Sequence, residues 1–269
     1  MPPPSTLTTR LAASRVDLTI AGSVFTGITF VLLLDQSGDI VAQRLLGLLT
    51  WTLLLVVLRD ESPLVRAQVA VVVAFATTVE YLASPLFGVY IYRLHNVPAF
   101  VPPGHGLVYL TALALGRSEL FRHLRRPLIA AVVAVGGGYA LWGVLISPRT
   151  DVLGAFWFGC LLVFLRWGPS RLTYVGAFFI VTYLELFGTA VHAWTWQPTD
   201  PTGLIPIGNP PSGASGGYGW FDLAGLLAAP ALLRCWARVH AWGVALRGRA
   251  WPSAATQLPA ARPQPAEER

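Results

Sequence analysis

Two glutamates inside long apolar stretches are the residues best suited to acid–base chemistry. Glu80 lies in VVVAFATTVEYL and Glu185 in GAFFIVTYLELFG. An ionisable group inside a membrane segment costs roughly 2.5–3.5 kcal/mol, so it usually has a function or a partner. Glu185 precedes Trp194 by nine residues, which places it on the order of 13 Å below an interfacial tryptophan. Both glutamates are predicted proton donors or acceptors; the alternative is a structural carboxyl hydrogen-bonded between helices.

Three further polar residues stand close to these segments. His192 follows Glu185 by seven residues, about two helical turns, so a continuous helix would present both on one face. His105 lies between two glycines, where a helix N-terminus can approach a ligand closely. Asp222 lies in the first turns of the last apolar segment, five residues after Gly217. An interfacial histidine, a tight turn and a helix cap are the respective structural alternatives. The predicted catalytic set is Glu185, Glu80, His192, His105 and Asp222.

Aromatic residues follow both glutamates and predict walls for a long apolar molecule. An aromatic-x-aromatic pair comes after each glutamate, and aromatic faces also stabilise a cation. Tyr109 occupies in the first half of the chain the position that Asp222 has in the second. Asn209 lies in GNPPSG, where its structural alternative is support of a turn. The predicted substrate-binding residues are Tyr90, Tyr92, Trp194, Trp196, Tyr109 and Asn209.

The sequence predicts neither a metal nor an organic cofactor. His105, His192, Glu185 and Asp222 carry groups that bind metals, but no HExxH or His-x-x-x-His spacing supports a site. Walker and dinucleotide-binding motifs are also absent from the sequence. All 19 basic residues are arginine, which excludes a Schiff base to retinal or pyridoxal because that chemistry needs a lysine.

The elements that position these residues have the composition of a membrane protein. Of the 269 residues, 54% are hydrophobic and only 12% are charged, with a mean hydropathy of +0.58. A soluble domain carries roughly 25% charged residues, so this chain has too few charges for a water-facing surface. The sequence therefore predicts an all-α, polytopic membrane bundle of about eight transmembrane helices.

Apolar stretches near the length of a membrane-spanning helix divide the chain into eight segments. They cover residues 18–34, 41–58, 65–84, 104–116, 127–147, 152–167, 171–193 and 218–242. The predicted organisation is a cytoplasmic N-terminal segment 1–16, a first four-helix repeat 17–126, a second repeat 127–250 and a disordered cytoplasmic tail 251–269.

Arginines accumulate before the first apolar segment and after each even-numbered one. By the positive-inside rule, this bias places both termini in the cytoplasm and the chain in the inner or plasma membrane of the cell. The net charge is +6, but the arginines mark helix ends and form no continuous face. The charge therefore indicates topology rather than nucleic-acid binding, and membrane lipids are the expected surroundings.

Two predicted outward-facing loops, 84–104 and 193–217, are rich in proline and glycine. Each follows a glutamate, runs from an aromatic pair through a Val-Pro or Ile-Pro step to Pro-Pro, and returns at a Gly-x-Gly. Non-helical backbone at membrane depth must be buried in protein or line a watery cavity. The match predicts a parallel four-plus-four duplication about an axis along the membrane normal.

The stretch from Glu80 to Tyr109 resembles the bacterial carotenoid hydratases, membrane proteins that add water to the ends of acyclic carotenoids. The shared pattern is a membrane glutamate, FGVYIY at 87–92, a Val97–Pro98 step and a return into the bilayer. The resemblance implies an acid-catalysed reaction on an isoprenoid within the lipid phase.

Three classes of function fit these features. The leading hypothesis is a membrane-embedded enzyme of the hydratase or lyase type, acting by acid–base chemistry on a lipid or isoprenoid substrate from the outer leaflet. Parallel repeats with membrane carboxylates also suit a proton-coupled transporter of lipids or small molecules. A non-catalytic subunit bound to other membrane proteins is the third hypothesis, in which the polar residues only support packing.

Overall fold

The computed structural model describes residues 7–249, and the predicted tail 251–269 lies outside the described residues. The structure is 76% helical and has almost no strand residues in this range, so the all-α fold class is confirmed. The helices are α1 (Leu7–Ser37), α2 (Ile40–Leu58), α3 (Pro63–Tyr81), α4 (Val101–Arg117), α5 (Glu119–His123), α6 (Arg125–Leu145), α7 (Val152–Trp167), α8 (Arg171–Ala190) and α9 (Ala214–Arg249). The strands are β1 (Tyr90–Tyr92) and β2 (Trp194–Trp196).

Each of the eight predicted segments lies largely within one of these helices. Five stretches in the described range are long and apolar enough to cross a membrane: Ala13–Ser37, Ile40–Leu58, Pro63–Leu86, Arg125–Leu145 and Arg171–Ala190. The helices α4 and α7 are shorter, at 17 and 16 residues. Helix α1 begins at Leu7, well before the predicted residue 18, because the residues between are mostly good helix formers.

Polar residues at the helix starts explain several of these bounds. Asp39 accepts hydrogen bonds from two backbone N–H groups in the first turn of α2. Ser62 caps α3 in the same way, and Pro63 follows at the first helical position, where it needs no donor. Asp151 caps α7. These caps satisfy N–H groups that would otherwise be left unpaired at the helix ends.

Helices α4 and α8 form the centre of the bundle and pack against each other along their length. Small residues allow this approach: Gly176 lies against the backbone of Ala112, and Gly116 lies against the backbone of Leu172. A side chain at either glycine would collide with that backbone. Helices α1, α2 and α3 pack around α4, and α6 and α7 pack against α8.

The chain divides into two units at Pro230, within α9. The first unit runs to Pro230 and contains both strands, the helices α1 to α8 and the start of α9. The second unit starts at Ala231, and its described part is the helical stretch that ends at Arg249. The candidate site described below belongs entirely to the first unit.

The α3 helix ends in a π-helical turn, Leu82–Leu86, that contains Pro85. Proline has no N–H to donate and clashes with the carbonyl four residues earlier, so the α-helical pattern cannot continue there. The amide of Phe87 instead bonds to the carbonyl of Leu82, five residues back, at 2.9 Å. Gly88 then adopts φ +62°, a conformation that glycine tolerates, and turns the chain into β1.

The α8 helix ends at Ala190 rather than at the predicted residue 193. His192 adopts φ 58°, and its amide bonds to the carbonyl of Thr189 at 3.1 Å. The amide of Ala193 bonds to the carbonyl of Gly188 at 2.9 Å. This pair of bonds is a Schellman motif, which terminates a helix with one residue in the left-handed conformation. The chain is thereby directed into β2.

Candidate functional site

The two loops that were predicted to be related pair with each other. Strands β1 and β2 form a two-stranded antiparallel sheet, one strand from each loop. Opposite residues are Tyr90 and Trp196, Ile91 and Thr195, and Tyr92 and Trp194. Because side chains alternate along a strand, the four aromatic rings lie on one face of this sheet, and all four are buried. The face is directed at the two glutamates.

Glu80 is held by three hydrogen-bonding side chains. The hydroxyls of Tyr90 and Tyr92 donate to Glu80 Oε2 at 2.7 and 2.8 Å, and His105 Nε2 lies 2.8 Å from Oε1. Burial, reinforced by the adjacent Glu80, raises the pKa of Tyr90 and of Tyr92 well above the ordinary value. Both phenols therefore remain protonated and donate. An ionised carboxylate accepts hydrogen bonds only, and the two phenol donors match that capacity.

Glu185 has a similar clamp on only one of its oxygens. The indole N–H groups of Trp194 and Trp196 both donate to Glu185 Oε2, at 3.1 and 3.0 Å. Within the described part of the chain, Oε1 accepts no hydrogen bond. The two glutamates are both buried, at 6% exposure for Glu80 and 4% for Glu185. They differ in that Glu185 has a free oxygen.

The two carboxyls are connected through two pairs of rings, Tyr90 with Trp196 and Tyr92 with Trp194, and the rings of the second pair lie 6.1 Å apart between centroids. The Tyr90 and Trp196 rings lie 4.5 Å apart between centroids, and each ring donates to a different glutamate. Trp157 on α7 packs edge-on against Trp196 at 5.7 Å. The hydrogen-bond clamps of the two glutamates are therefore in direct aromatic contact.

His105 is stacked on a residue that was not among the predicted site residues. Its ring lies 5.2 Å from the Tyr218 ring at an interplanar angle of 27°, and Phe221 contacts both rings edge-on. Tyr218 occupies the middle of the second Gly-x-Gly, as His105 occupies the middle of the first. The comparison of these two motifs could have identified Tyr218 as a site residue.

A cavity of about 590 Å³ joins both glutamates. Most of its wall is apolar and comes from α1, α2, α3, α4 and α9. Its polar and aromatic lining consists chiefly of Glu80, Glu185, His105, Tyr90, Tyr92, Trp194, Trp196 and Tyr218. This arrangement suits a long apolar molecule whose end meets two carboxyl groups.

The second loop is held in place by Arg149, which precedes α7. Its guanidinium donates to the carbonyl oxygens of Ile207 at 2.6 Å and Trp196 at 2.7 Å, and also to that of Gln197. Asn209, predicted to bind substrate, accepts a hydrogen bond from the Trp196 amide at 3.0 Å. Asn209 therefore supports β2 from behind, and the cavity wall does not include it.

Asp151 holds the far end of the same loop. Its Oδ1 accepts from the amides of Gly154 at 2.9 Å and Gly208 at 2.8 Å, and its Oδ2 accepts from the Ser212 amide at 2.6 Å. Three backbone donors on one buried carboxylate make a rigid connection. The α7 cap and the second loop are thus one assembly.

The first loop is held by a network at the junction of α1 and α2. Arg93 donates to the Gly38 carbonyl at 2.5 Å and lies 3.4 Å from Asp35 Oδ1. Gln43 donates to the same Asp35 oxygen at 2.8 Å and accepts from Asn96 at 2.9 Å. Neither Arg93 nor Arg149 could be assigned this role from sequence, because the partners are mostly distant backbone carbonyls.

Four predicted site residues do not line the cavity: Asn209, described above, and His192, Asp222 and Tyr109. His192 is exposed, and the prediction that it shares a helix face with Glu185 is wrong, because α8 ends before it. Asp222 and Tyr109 are buried, at 3% and 0% exposure, but line no part of the cavity. Within the described residues, Asp222 Oδ2 and the Tyr109 hydroxyl have no hydrogen-bond partner.

No group of three or more histidine, cysteine, aspartate or glutamate side chains with metal-binding geometry occurs within residues 7–249. Comparisons with models of known protein families, with curated proteins and with solved structures found no match to this chain. The case for a function therefore depends on the geometry of the cavity and its two glutamates.

Proposed function

We propose that this protein is a membrane-embedded enzyme that adds water to, or removes water from, the end of an isoprenoid or other lipid chain. The observation that carries the proposal is the position of two carboxyls on one apolar cavity in different hydrogen-bond surroundings. The segment that resembles carotenoid hydratases supplies Glu80 and the three groups that clamp it.

The different surroundings assign different roles to the two glutamates. Glu185 is the general acid, because Oε1 is free of hydrogen bonds and can direct a proton at a bound molecule. Glu80 is the carboxylate that accepts a proton, since two phenol hydroxyls donate to its Oε2 and stabilise the charged form. The stacked rings of His105 and Tyr218 position the chain end between the two glutamates.

In the hydration direction, the O–H bond at Glu185 Oε1 breaks and its proton adds to one carbon of a C=C bond. The π electrons form that new C–H bond, and the neighbouring carbon becomes a cation facing the rings of Tyr90, Trp196 and Tyr218. A water oxygen bonds to the cation and releases a proton to Glu80. Glu80 then gives up this proton and Glu185 takes one up, so both carboxyls return to their starting states and the net change is the addition of one water molecule.

We also infer that the chain crosses the cell membrane eight times, with both termini in the cytoplasm. The eight apolar segments are helical, and their arginine-rich turns alternate with the turns that carry the site. In a Cys235→Ser background, Thr202→Cys should react with an impermeant thiol reagent on intact cells. Asp60→Cys should react only after the membrane is opened; the reverse pattern contradicts this topology.

Further, we infer that the two halves are duplicates. Glu80 precedes Tyr90 by ten residues, whereas Glu185 precedes Trp194 by nine. The π-helical turn after α3 contains one residue more than an α-helical turn, which accounts for the difference. A residue with positive φ stands two positions before each strand: Gly88 at 62° and His192 at 58°.

The experiment that tests the function compares lipid extracts from a bacterial host that makes acyclic isoprenoids. Mass spectrometry should detect a lipid that differs from its precursor by one water when the wild-type chain is present. Glu185→Gln should reduce this product about 10²–10⁴-fold, the usual contribution of a general acid. Glu119→Gln, a change of an exposed carboxyl that pairs with Arg122, is the matched control and should leave the product unchanged.

Other outcomes favour the other functions. Proton-linked uptake into vesicles that Glu185→Gln abolishes, with no modified lipid, favours a transporter. Wild-type behaviour of Glu185→Gln in every assay favours a non-catalytic subunit. Circular dichroism and size-exclusion chromatography on each variant establish that the fold is retained.

A further inference from the structure

The cavity is open at the apolar surface of the bundle. Several side chains that line it are also well exposed: Phe30 and Leu34 on α1, Leu49 on α2, Phe75 on α3 and Trp220 on α9. All five are apolar. The helices α1, α2 and α3 are among those long and apolar enough to cross a membrane, so the four side chains on these helices would face hydrocarbon.

The side formed by α3 and α9 is closed. Phe75 and Phe221 meet edge-on with their ring centroids 5.4 Å apart. One turn along, Gly225 packs so closely on α3 that a side-chain carbon there would come within 2.9 Å of Val72. On the side of α1 and α2, Phe30 and Leu34 stand one helical turn apart, and these two side chains and Leu49 are well exposed while they line the cavity.

Volume and charge limit what can occupy this space. The cavity of about 590 Å³ holds roughly 20 groups the size of a water molecule, at about 30 Å³ each. A longer chain must leave its remainder outside. The cavity wall includes two glutamates and one histidine but, within the described residues, no arginine. A phosphate or diphosphate would meet like charge and would have to pass an apolar rim.

We propose that the cavity takes up one uncharged end of a long chain sideways from the bilayer, through a portal edged by Phe30, Leu34 and Leu49. The rest of the chain stays in the membrane. This inference rests on the proposed function for the role of the enclosed end. The portal itself can be tested without turnover.

A photo-reactive benzoyl-phenylalanine at the portal tests this route in the full chain reconstituted in lipid nanodiscs. In the test variant it replaces Phe30, which is 62% exposed. In the control variant it replaces Phe156 on α7, which is 63% exposed and does not line the cavity. The probe is an alkyne-tagged polyprenol, with the matching polyprenyl phosphate as competitor. Labelling at position 30 should saturate as the concentration of the polyprenol probe increases, and the polyprenyl phosphate should not reduce it. Labelling at position 156 should increase in proportion to the probe concentration. Equal, non-saturating labelling at both positions would overturn the portal.

A second pair of variants tests the effect of narrowing the portal. Leu49→Trp at the portal should slow saturable labelling about tenfold, as one overpacked contact can do. Leu55→Trp changes a residue of similar exposure on the same helix, 61% against 59%, but outside the cavity wall, and should have no effect. Equal rates in the two variants would contradict the portal. Saturable labelling of the wild-type chain at position 30, in a host where the wild-type chain forms no product, retains the portal and rejects the proposed chemistry.

Discussion

The clamp on Glu80 gives a quantitative prediction, because two phenols share one carboxylate oxygen. Tyr90→Phe and Tyr92→Phe each remove one hydroxyl from Glu80 Oε2 and leave the ring packing in place. After either single change, Oε2 keeps one donor. After both changes, Oε2 has none, and Glu80 retains only the contact of its other oxygen with His105.

The expected magnitudes follow from these counts. Hydrogen bonds to charged groups contribute roughly 1.5–3 kcal/mol in soluble proteins, and polar contacts between membrane helices contribute about 0.6–1.7 kcal/mol. Each single change should lower the free energy of unfolding by about 1 kcal/mol. The double change leaves a buried acceptor unsatisfied, which costs a further ~1 kcal/mol beyond the sum of the single changes.

A double-mutant cycle measured by unfolding in mixed micelles, with circular dichroism as the signal, checks this prediction. Tyr81→Phe is the control, because Tyr81 adjoins Glu80 on α3 but is exposed. The free energy of unfolding of Tyr81→Phe should stay within about 0.5 kcal/mol of the wild-type value. If the effects of Tyr90→Phe and Tyr92→Phe simply add, or are as small as that of Tyr81→Phe, the shared-oxygen clamp is refuted.

Two further changes probe the supports of the second glutamate. Gly188→Ala places a methyl group against the Trp194 ring, so it should displace the indole from Glu185 and cost about 1–3 kcal/mol of unfolding free energy. Gly159→Ala points into open space and should be neutral or stabilise by up to ~1 kcal/mol; equal effects of the two glycine changes would contradict the contact. Asp151→Asn should lose at least one of three backbone hydrogen bonds, cost about 2 kcal/mol and speed amide hydrogen exchange at Gly208 and Ser212. Unchanged exchange at these amides would show that Asp151 does not hold the loop.

The sequence predicted helix positions well because each helix carries a long apolar stretch, a signal that is local. The bounds of α7, for example, match the predicted 152–167. The errors of the sequence-based prediction lie at helix ends that depend on single residues. The left-handed conformation of His192 ends α8, and Pro85 converts the end of α3 into a π-helical turn. Neither outcome follows from hydropathy.

The site was predicted in its residue types more than in its arrangement. The glutamates and the aromatic pairs were identified from their shared spacing, but the pairing of β1 with β2 joins residues about a hundred positions apart. No local pattern specifies such a contact. The spacing of seven residues predicted that Glu185 and His192 share a helix face. This prediction was wrong because α8 ends before His192. Arg149 and Asp151 were missed because they bind backbone groups.

The origin of the added atoms tests the proposed chemistry most directly. The purified chain in nanodiscs, supplied with isoprenoid extract in water carrying heavy oxygen and deuterium, should form a lipid with one labelled oxygen and one carbon-bound deuterium. The Glu185→Gln chain should form neither. An unlabelled product, or equal labelling with Glu185→Gln, would contradict the assignment of Glu185 as the acid that starts the addition of water.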